Sequence, residues 1–336
     1  MTIDTKPKRI FSGIQPTGDV HIGNYLGAIQ NWVKLTEEYD CIYCIVDYHA
    51  VTIDYEPPLM QQKILDTALI CIACGLTRDK CTLFVQSHIP EHTELTWVFN
   101  CLTPIGDLER MTQFKQKGKQ HRKNINMGLL DYPVLQAADI LIYKAGYVPV
   151  GKDQYQHVEL TREIARKFNA RFGHVFPEPV VLESKAPKIL GLDGKSKMSK
   201  SMNNTIGLLE SPEAIWEKLR IAVTDVNRVR RHDPGNPRKC NIYSLHRAFS
   251  SPEEVRQIAH DCRTAAIGCI DCKKILWKNM VAHLKPIQER AADLQRNIGR
   301  VKENLTGGAD RCREIASGVM DEVRDRMGLT PTNRNV

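Results

Sequence analysis

Residues 41–46, CIYCIV, place six apolar side chains in a row with no polar alternation. A strand with one face in water alternates apolar and polar residues, whereas a run without alternation belongs to a strand buried on both faces of a parallel sheet. The surrounding segments agree. RIFSGIQPTGDVHIGNYLGAIQNWV, residues 9–33, reads as a short strand, a glycine-punctuated loop and a helix. PPLMQQKILDTALICIACGL has helical periodicity, opens on proline and closes near glycine. CTLFVQ is another short buried strand. This β-α-β-α-β alternation predicts an α/β fold built on a parallel sheet.

Farther along, the pattern predicts helices over 133–143 and 153–171, with YVPV as a short strand between them. From about residue 211 the signals are almost wholly helical. The polar, glycine-bearing stretch LGLDGKSKMSKSMNNTIG reads as a loop and a domain joint. The tail 331–336 is expected to be disordered. A chain of 336 residues suits two domains, or one large domain with an insertion. The net charge of +8 favours a polyanionic partner without requiring one. The first ten residues lack an apolar signal core, and no segment approaches the roughly 18 apolar residues of a membrane span. A cytoplasmic chain with no membrane contact is expected, and eleven cysteines, an odd number, fit poorly with a disulfide framework.

Two segments have the chemistry to face a phosphate chain. GIQPTGDVHIGN, residues 13–24, leaves a strand, turns through Gly13 and Gly18, and enters a helix near Gly23. A helix start offers unpaired N–H groups and partial positive charge, and glycine permits close backbone approach. His21 and Asn24 stand three residues apart, on one face of the first turn, with donors for phosphate oxygens. KSKMSKS, residues 195–201, packs three lysines and three serines around one methionine, and its mobile ammonium groups suit a leaving pyrophosphate. A plain strand-to-helix turn and a solvated loop are the alternatives.

The cysteines divide into two sets. Cys41 and Cys44 lie three residues apart on a strand and therefore point to opposite faces, so they cannot easily chelate one ion. With Cys71, Cys74, Cys81, Cys101 and Cys312 they read as buried structural residues. Cys240, Cys262, Cys269 and Cys272 differ. Arg238, Lys239, Arg263, Lys273 and Lys274 surround them, which suits anionic thiolates. Gly268 and the CIDC turn argue against one uninterrupted helix here. Four thiolates can hold Zn2+ or an iron–sulfur cluster, and zinc more often shows two close pairs where only one CxxC is present. A small buried helix stripe without metal is the third alternative.

HIGN followed by KMSKS, in that order and about 175 residues apart, resembles the paired signature of class I aminoacyl-tRNA synthetases. FSGIQPTGDVHIGNYLGAI, GDLERMTQFKQK, DYPVLQAADIL and VPVGKDQYQHVELTR are similar to the tryptophan-specific bacterial branch, over about residues 9–329. Asn24 departs from the general class, where many members have a second histidine, but is usual in this branch. The resemblance implies a Rossmann-like catalytic domain over 1–190, completed by a C-terminal helix over 295–330, and a helical anticodon-binding domain over 191–294.

The same resemblance implies that ATP and Mg2+ activate L-tryptophan to tryptophanyl-AMP, and that the acyl group then passes to tRNA(Trp). It implies catalytic roles for His21, Asn24, Lys197 and Lys200. ATP contacts fall on Gln15, Pro16, Thr17, Gly23, Asn24, Gly151, Lys152, Asp153 and Ile189, and on Lys197, Met198, Ser199, Lys200 and Ser201 of the mobile loop. Asp139 would accept the indole N–H; from the residues alone it could equally be a helix carboxylate paired with lysine or arginine. Phe11, His49, Tyr132, Val148, Val150 and Gln154 are the expected pocket neighbours. Gln136 falls where some relatives carry an apolar residue. A subset of the family binds a [4Fe–4S] cluster through four cysteines spaced like Cys240, Cys262, Cys269 and Cys272, with Zn2+ as the alternative. The family works as a homodimer. A tyrosine-specific synthetase and a non-catalytic iron–sulfur RNA-binding regulator are the rival readings.

Overall fold

The computed structural model describes residues 8–16, 20–115, 125–183, 189–199 and 202–329. Its centre is a five-stranded parallel sheet of β1 (Arg9–Ile14), β2 (Asp40–Ile45), β3 (Thr82–Val85), β4 (Tyr147–Val150) and β5 (Val180–Glu183), in the order β3-β2-β1-β4-β5. β1 pairs with β2 along all six residues, from Arg9–Asp40 to Ile14–Ile45. Between β1 and β4 the paired position is Ile10–Tyr147, near their amino ends. The chain runs outward from β1 to one side and later returns to place β4 on the other. The strand order therefore reverses between β1 and β4, where open α/β sheets leave a crevice at the carboxyl ends.

A helical run follows β1: an α-turn at Ile22–Asn24, a π-helical turn at Tyr25–Ile29 and an α-helix at Gln30–Leu35. The longer helices are α1 (Pro57–Ala73), α2 (Glu91–Asn100), α3 (Met127–Leu141), α4 (Tyr155–Phe172), α5 (Pro212–Ile221), α6 (Asn241–Phe249), α7 (Pro252–Arg263), α8 (Cys269–Arg296) and α9 (Ile298–Met327). Their starts follow local chemistry. Ser251 and Glu254 form a capping box on α7, and proline stands in the first turn of α1, α5 and α7.

α3 corrects the expected 133–143 helix. It begins six residues earlier because Asn126 caps it, accepting a hydrogen bond from the Leu129 N–H, and it carries Pro133 within its length. The expected CIDC turn is also corrected. α7 ends at Arg263, Gly268 caps α8, and Cys269 and Cys272 occupy the first turn of α8.

The period-two geometry of β2 shows in its packing. Cys41, Tyr43 and Ile45 belong to the core on one sheet face, and Ile42 and Cys44 to the core on the other. The first core continues through α1 into Ile215, Leu219, Leu245, Leu276 and Met280 of the helical segment. The second gathers α2, α3, α4 and the later half of α9. α9 contributes Val301 and Leu305 to the first core and Ala309 to Val323 to the second, so it wraps the β3 edge. A Cβ at Gly308 would stand 2.1 Å from the Leu83 carbonyl oxygen, so only glycine lets this helix lie so close to the β3 backbone. Cys101 is exposed, against the expectation that it is buried.

Candidate active site

A cavity of about 350 Å3 opens where β1 and β4 part. Phe11, Ser12, Gly13 and Gln15 form one wall, and Val148, Pro149, Val150 and Gly151 the other. All seven residues expected around the amino acid line it: Phe11, His49, Tyr132, Asp139, Val148, Val150 and Gln154. Three of the expected nucleotide residues, Gln15, Gly151 and Lys197, also reach it. Tyr132, Gln136 and Asp139 present a single face to the cavity because they stand four and three residues apart on α3.

Asp139 is buried at the floor, and its partners are neither lysine nor arginine. Its Oδ2 lies 2.8 Å from His49 Nε2, and its Oδ1 accepts from Gln86 Nε2 at 2.7 Å and lies 2.6 Å from His92 Nδ1. Burial opposes its ionisation, yet hydrogen bonds from His49 and His92 outweigh that and hold the carboxyl well below the usual carboxylate range. It is an anion at neutral pH. His92 is fully buried, and its Nε2 lies 2.7 Å from the Tyr143 hydroxyl. His92 and Gln86 escaped notice in the sequence because neither stands in a recognisable motif. Their link to Asp139 exists only across the fold.

The two phosphate-facing segments meet. The Ile22 N–H donates to the Ile206 carbonyl, the Leu208 N–H donates to that of Val20, and His21 and Gly207 form a β-bridge. A Cβ on Gly23 would come within 3.4 Å of Met198 Cβ. The first turn partly satisfies itself. The Gly23 N–H donates to His21 Nδ1 and the His21 N–H to Asn24 Oδ1, each at 3.1 Å. Both side chains use their acceptors within the turn, so His21 keeps its Nε2–H and Asn24 its amide N–H for a ligand. Burial, then the Lys197 charge, lower the His21 pKa.

Asn204 organises the second segment. Its Oδ1 accepts the Ser199 N–H at 2.8 Å, and its Nδ2 donates to Ser196 Oγ at 2.9 Å and to the Lys197 carbonyl at 3.3 Å. Gly191 makes room for it, since a Cβ there would stand 2.1 Å from Asn204 Nδ2. Asp193 accepts from Ser196 Oγ at 2.5 Å. Met198 and Ile189 are buried, while Lys197 is exposed. Pro16 is buried behind Gln15, and Gly151, Lys152 and Asp153 are exposed at the carboxyl end of β4. Thr17, Lys200, Ser201 and the tail 331–336 lie outside the described residues.

The second cysteine set gathers at helix ends. Cys240 caps α6, Cys262 ends α7, and Cys269 and Cys272 begin α8. Burial, then the charges of the other three thiols, push Cys272 up to about 12. Arg228 Nη1 lies 3.9 Å from Cys269 Sγ, and His246 Nε2 lies 3.4 Å from Cys272 Sγ. Among the described residues no three His, Cys, Asp or Glu side chains converge closely enough for a metal ion. Arg238, Lys239, Arg263 and Lys274 are exposed, but Lys273 is not: its Nζ donates to the carbonyls of Ala222 and Arg220 at the end of α5. Lys273 therefore caps the end of α5 while staying within electrostatic reach of Cys240, Cys269 and Cys272.

The family model "tRNA synthetases class I (W and Y)" matches residues 4–285. A tryptophan–tRNA ligase of Deinococcus radiodurans is 55% identical over 326 residues, 96% of this chain and 98% of that one. One of Thermotoga maritima is 45% identical over 326 residues, 96% of this chain and 99% of that one. The crystal structure of tryptophanyl-tRNA synthetase from Campylobacter jejuni complexed with ADP and tryptophan superposes with a TM-score of 0.87 at 34% identity, covering 96% of this chain and all of that one.

Proposed function

Since the chain belongs to the class I tRNA synthetases of the tryptophan and tyrosine family, we propose a division of labour for the residues around its cavity. The chain acts as a tryptophan–tRNA ligase. It activates L-tryptophan with ATP to tryptophanyl-AMP, releases pyrophosphate, and transfers tryptophan to tRNA(Trp). The carrying observation is the cavity between β1 and β4, with an ionised Asp139 at its floor and the two phosphate-facing segments at its rim.

Asp139 selects the side chain. His49, Gln86 and His92 leave one lone pair on Oδ2 for the indole N–H. Phenylalanine would leave that buried acceptor unmet. Tyr132, Phe11, Val148 and Val150 supply the apolar walls, and Gln154 the polar rim. Gln15, Pro16, Gly23 and Asn24 bring backbone and amide groups to ATP, with Gly151, Lys152 and Asp153 on the ribose side and Ile189 at the adenine. His21 Nε2–H and Lys197 would meet the phosphates, and the family resemblance adds roles there for Thr17, Met198, Ser199, Lys200 and Ser201. Little covalent chemistry is asked of the protein: it aligns carboxylate, phosphorus and leaving group, and Mg2+ shares the neutralisation of pyrophosphate.

Residues 191–294 form the tRNA-facing unit, and 1–190 with the C-terminal helix the catalytic one. Arg230, Arg231, Arg238, Lys239, Arg263 and Lys274 give the tRNA-facing unit an exposed positive surface for the anticodon arm. Trp97, Ile105 and Met127 are more than 60% exposed and lie on packed neighbouring elements, an apolar face suited to a homodimer. We place the reaction in the cytoplasm, where the eleven free cysteines stay reduced.

The cysteines at the ends of α6, α7 and α8 suit a [4Fe–4S] cluster better than Zn2+. Four thiols lie within mutual electrostatic reach, and only one CxxC pair is present where zinc more often shows two. Cys240, Cys262, Cys269 and Cys272 would hold it. When bound, a cluster ties three helix ends together and can accept an electron. Arg228, whose Nη1 lies 3.9 Å from Cys269 Sγ, would supply a compensating charge.

Anaerobically purified protein tests the whole reading. We expect ATP–pyrophosphate exchange that depends on tryptophan and charging of tRNA(Trp), with iron and sulfide in equal amounts. Exchange driven equally well by tyrosine or phenylalanine, or no exchange, overturns the specificity or the activity. A colourless, zinc-loaded protein overturns the cluster.

A further inference from the structure

His246 lies on α6, six residues after Cys240, and is wholly buried. Its Nε2 is 3.1 Å from the Cys272 carbonyl oxygen and 3.4 Å from Cys272 Sγ. A carbonyl only accepts hydrogen bonds, so Nε2 carries the proton. The other nitrogen agrees. Nδ1 lies 2.8 Å from Ser250 Oγ, and that oxygen itself accepts from Asn279 Nδ2 at 2.9 Å. Ser250 is thus free to donate its hydroxyl proton to the bare Nδ1. Asn279 is anchored in turn by Glu254 Oε2 at 3.1 Å. The chain Glu254–Asn279–Ser250–His246 fixes one tautomer and aims one N–H at the Cys272 backbone and sulfur.

We infer that His246 is a positioning residue for the thiol set: its fixed N–H stabilises charge on the Cys272 sulfur and thereby tunes whatever cluster that sulfur holds. The inference rests on the [4Fe–4S] reading above. Reduction adds negative charge, and hydrogen bonds to cluster sulfurs stabilise the reduced form more than the oxidised one. Burial removes water as a competing donor. Removing the imidazole should therefore make the cluster harder to reduce and quicker to lose iron.

The test uses the full chain, purified without oxygen, as wild type, His246→Leu, His246→Gln and Ser250→Ala. Reduction is followed by absorbance and electron spin resonance at fixed potentials, and iron loss by a chelator assay. His246→Leu should raise the ratio of oxidised to reduced cluster about tenfold at a given potential, a shift of about 59 mV for a one-electron couple. His246→Gln, which keeps an N–H, should recover part of the shift. Ser250→Ala, which only unlocks the tautomer, should move in the same direction by less. If His246→Leu fails to fold or to load, Ser250→Ala decides. A loaded wild type whose variants match it in potential and in iron loss overturns the inference and leaves the cluster standing. A wild type without iron and sulfide overturns both.

Discussion

The Tyr25 hydroxyl and His283 Nε2 lie 2.9 Å apart, bridging the residue directly after HIGN to the middle of α8 across 258 positions of sequence. α8 also holds the segment after KMSKS, since Gln288 Nε2 donates to the carbonyls of Leu208 and Glu210, each at 2.9 Å. One long helix braces both sides of the phosphate crevice, and its first turn carries Cys269 and Cys272. Tyr25→Phe should cost about 1 kcal/mol in urea unfolding. Gln288→Ala, which frees the second segment, should raise the KM for ATP more than that for tryptophan in pyrophosphate exchange.

Asp139→Asn puts an amide N–H2 among groups that already donate. We expect a stability loss of about 2–3 kcal/mol and at least a tenfold fall in selectivity for tryptophan over phenylalanine. The pH dependence has a definite sign. A carboxyl whose folded pKa is depressed stabilises fully above its unfolded value of about 3.9 and loses that contribution as pH falls through the lower folded value. Acid unfolding should therefore be shallower in Asp139→Asn than in wild type below about pH 4. Unchanged selectivity would remove the residue from the specificity role.

His21 is held below its ordinary pKa by burial, then by Lys197, so it is mainly neutral in the free chain at pH 7. Phosphates placed against its Nε2 would favour protonation. ATP binding at mildly acidic pH should then take up a fraction of a proton, visible as a dependence of calorimetric heat on the buffer's ionisation enthalpy. His21→Asn should abolish that dependence.

Asn204→Ala removes the groups that shape KMSKS, and Gly191→Ala crowds Asn204 out of place from the other side. Both should lower the adenylation rate at least tenfold while tryptophan affinity, measured by equilibrium titration, changes little. Equal losses in both quantities would mean that the pocket itself had been disturbed.

Gly308→Ala drives a methyl into the Leu83 carbonyl. A loss of about 3 kcal/mol or more is expected, because a backbone atom of a buried strand, hydrogen-bonded to β2 on one side and covered by α9 on the other, cannot rotate away. Thermal unfolding reads it directly, and an unchanged midpoint would show that α9 can shift on β3.

Much of this protein was legible in its sequence because the relevant forces act over a few residues. CIYCIV announced a strand buried on both faces, and Cys41 and Cys44 do face opposite cores. Proline marked the start of α1, and the seven residues expected around the amino acid all line one cavity. What only the tertiary structure decided are contacts between segments far apart in the chain. Asp139 meets partners 90, 53 and 47 residues away. Asn204 completes a loop that looked merely polar, Lys273 turns from solvent to cap α5, and His246 finds Cys272. Hydrogen bonds are short-ranged and directional, so which donor meets which acceptor is set by how whole helices pack, and no local pattern records that.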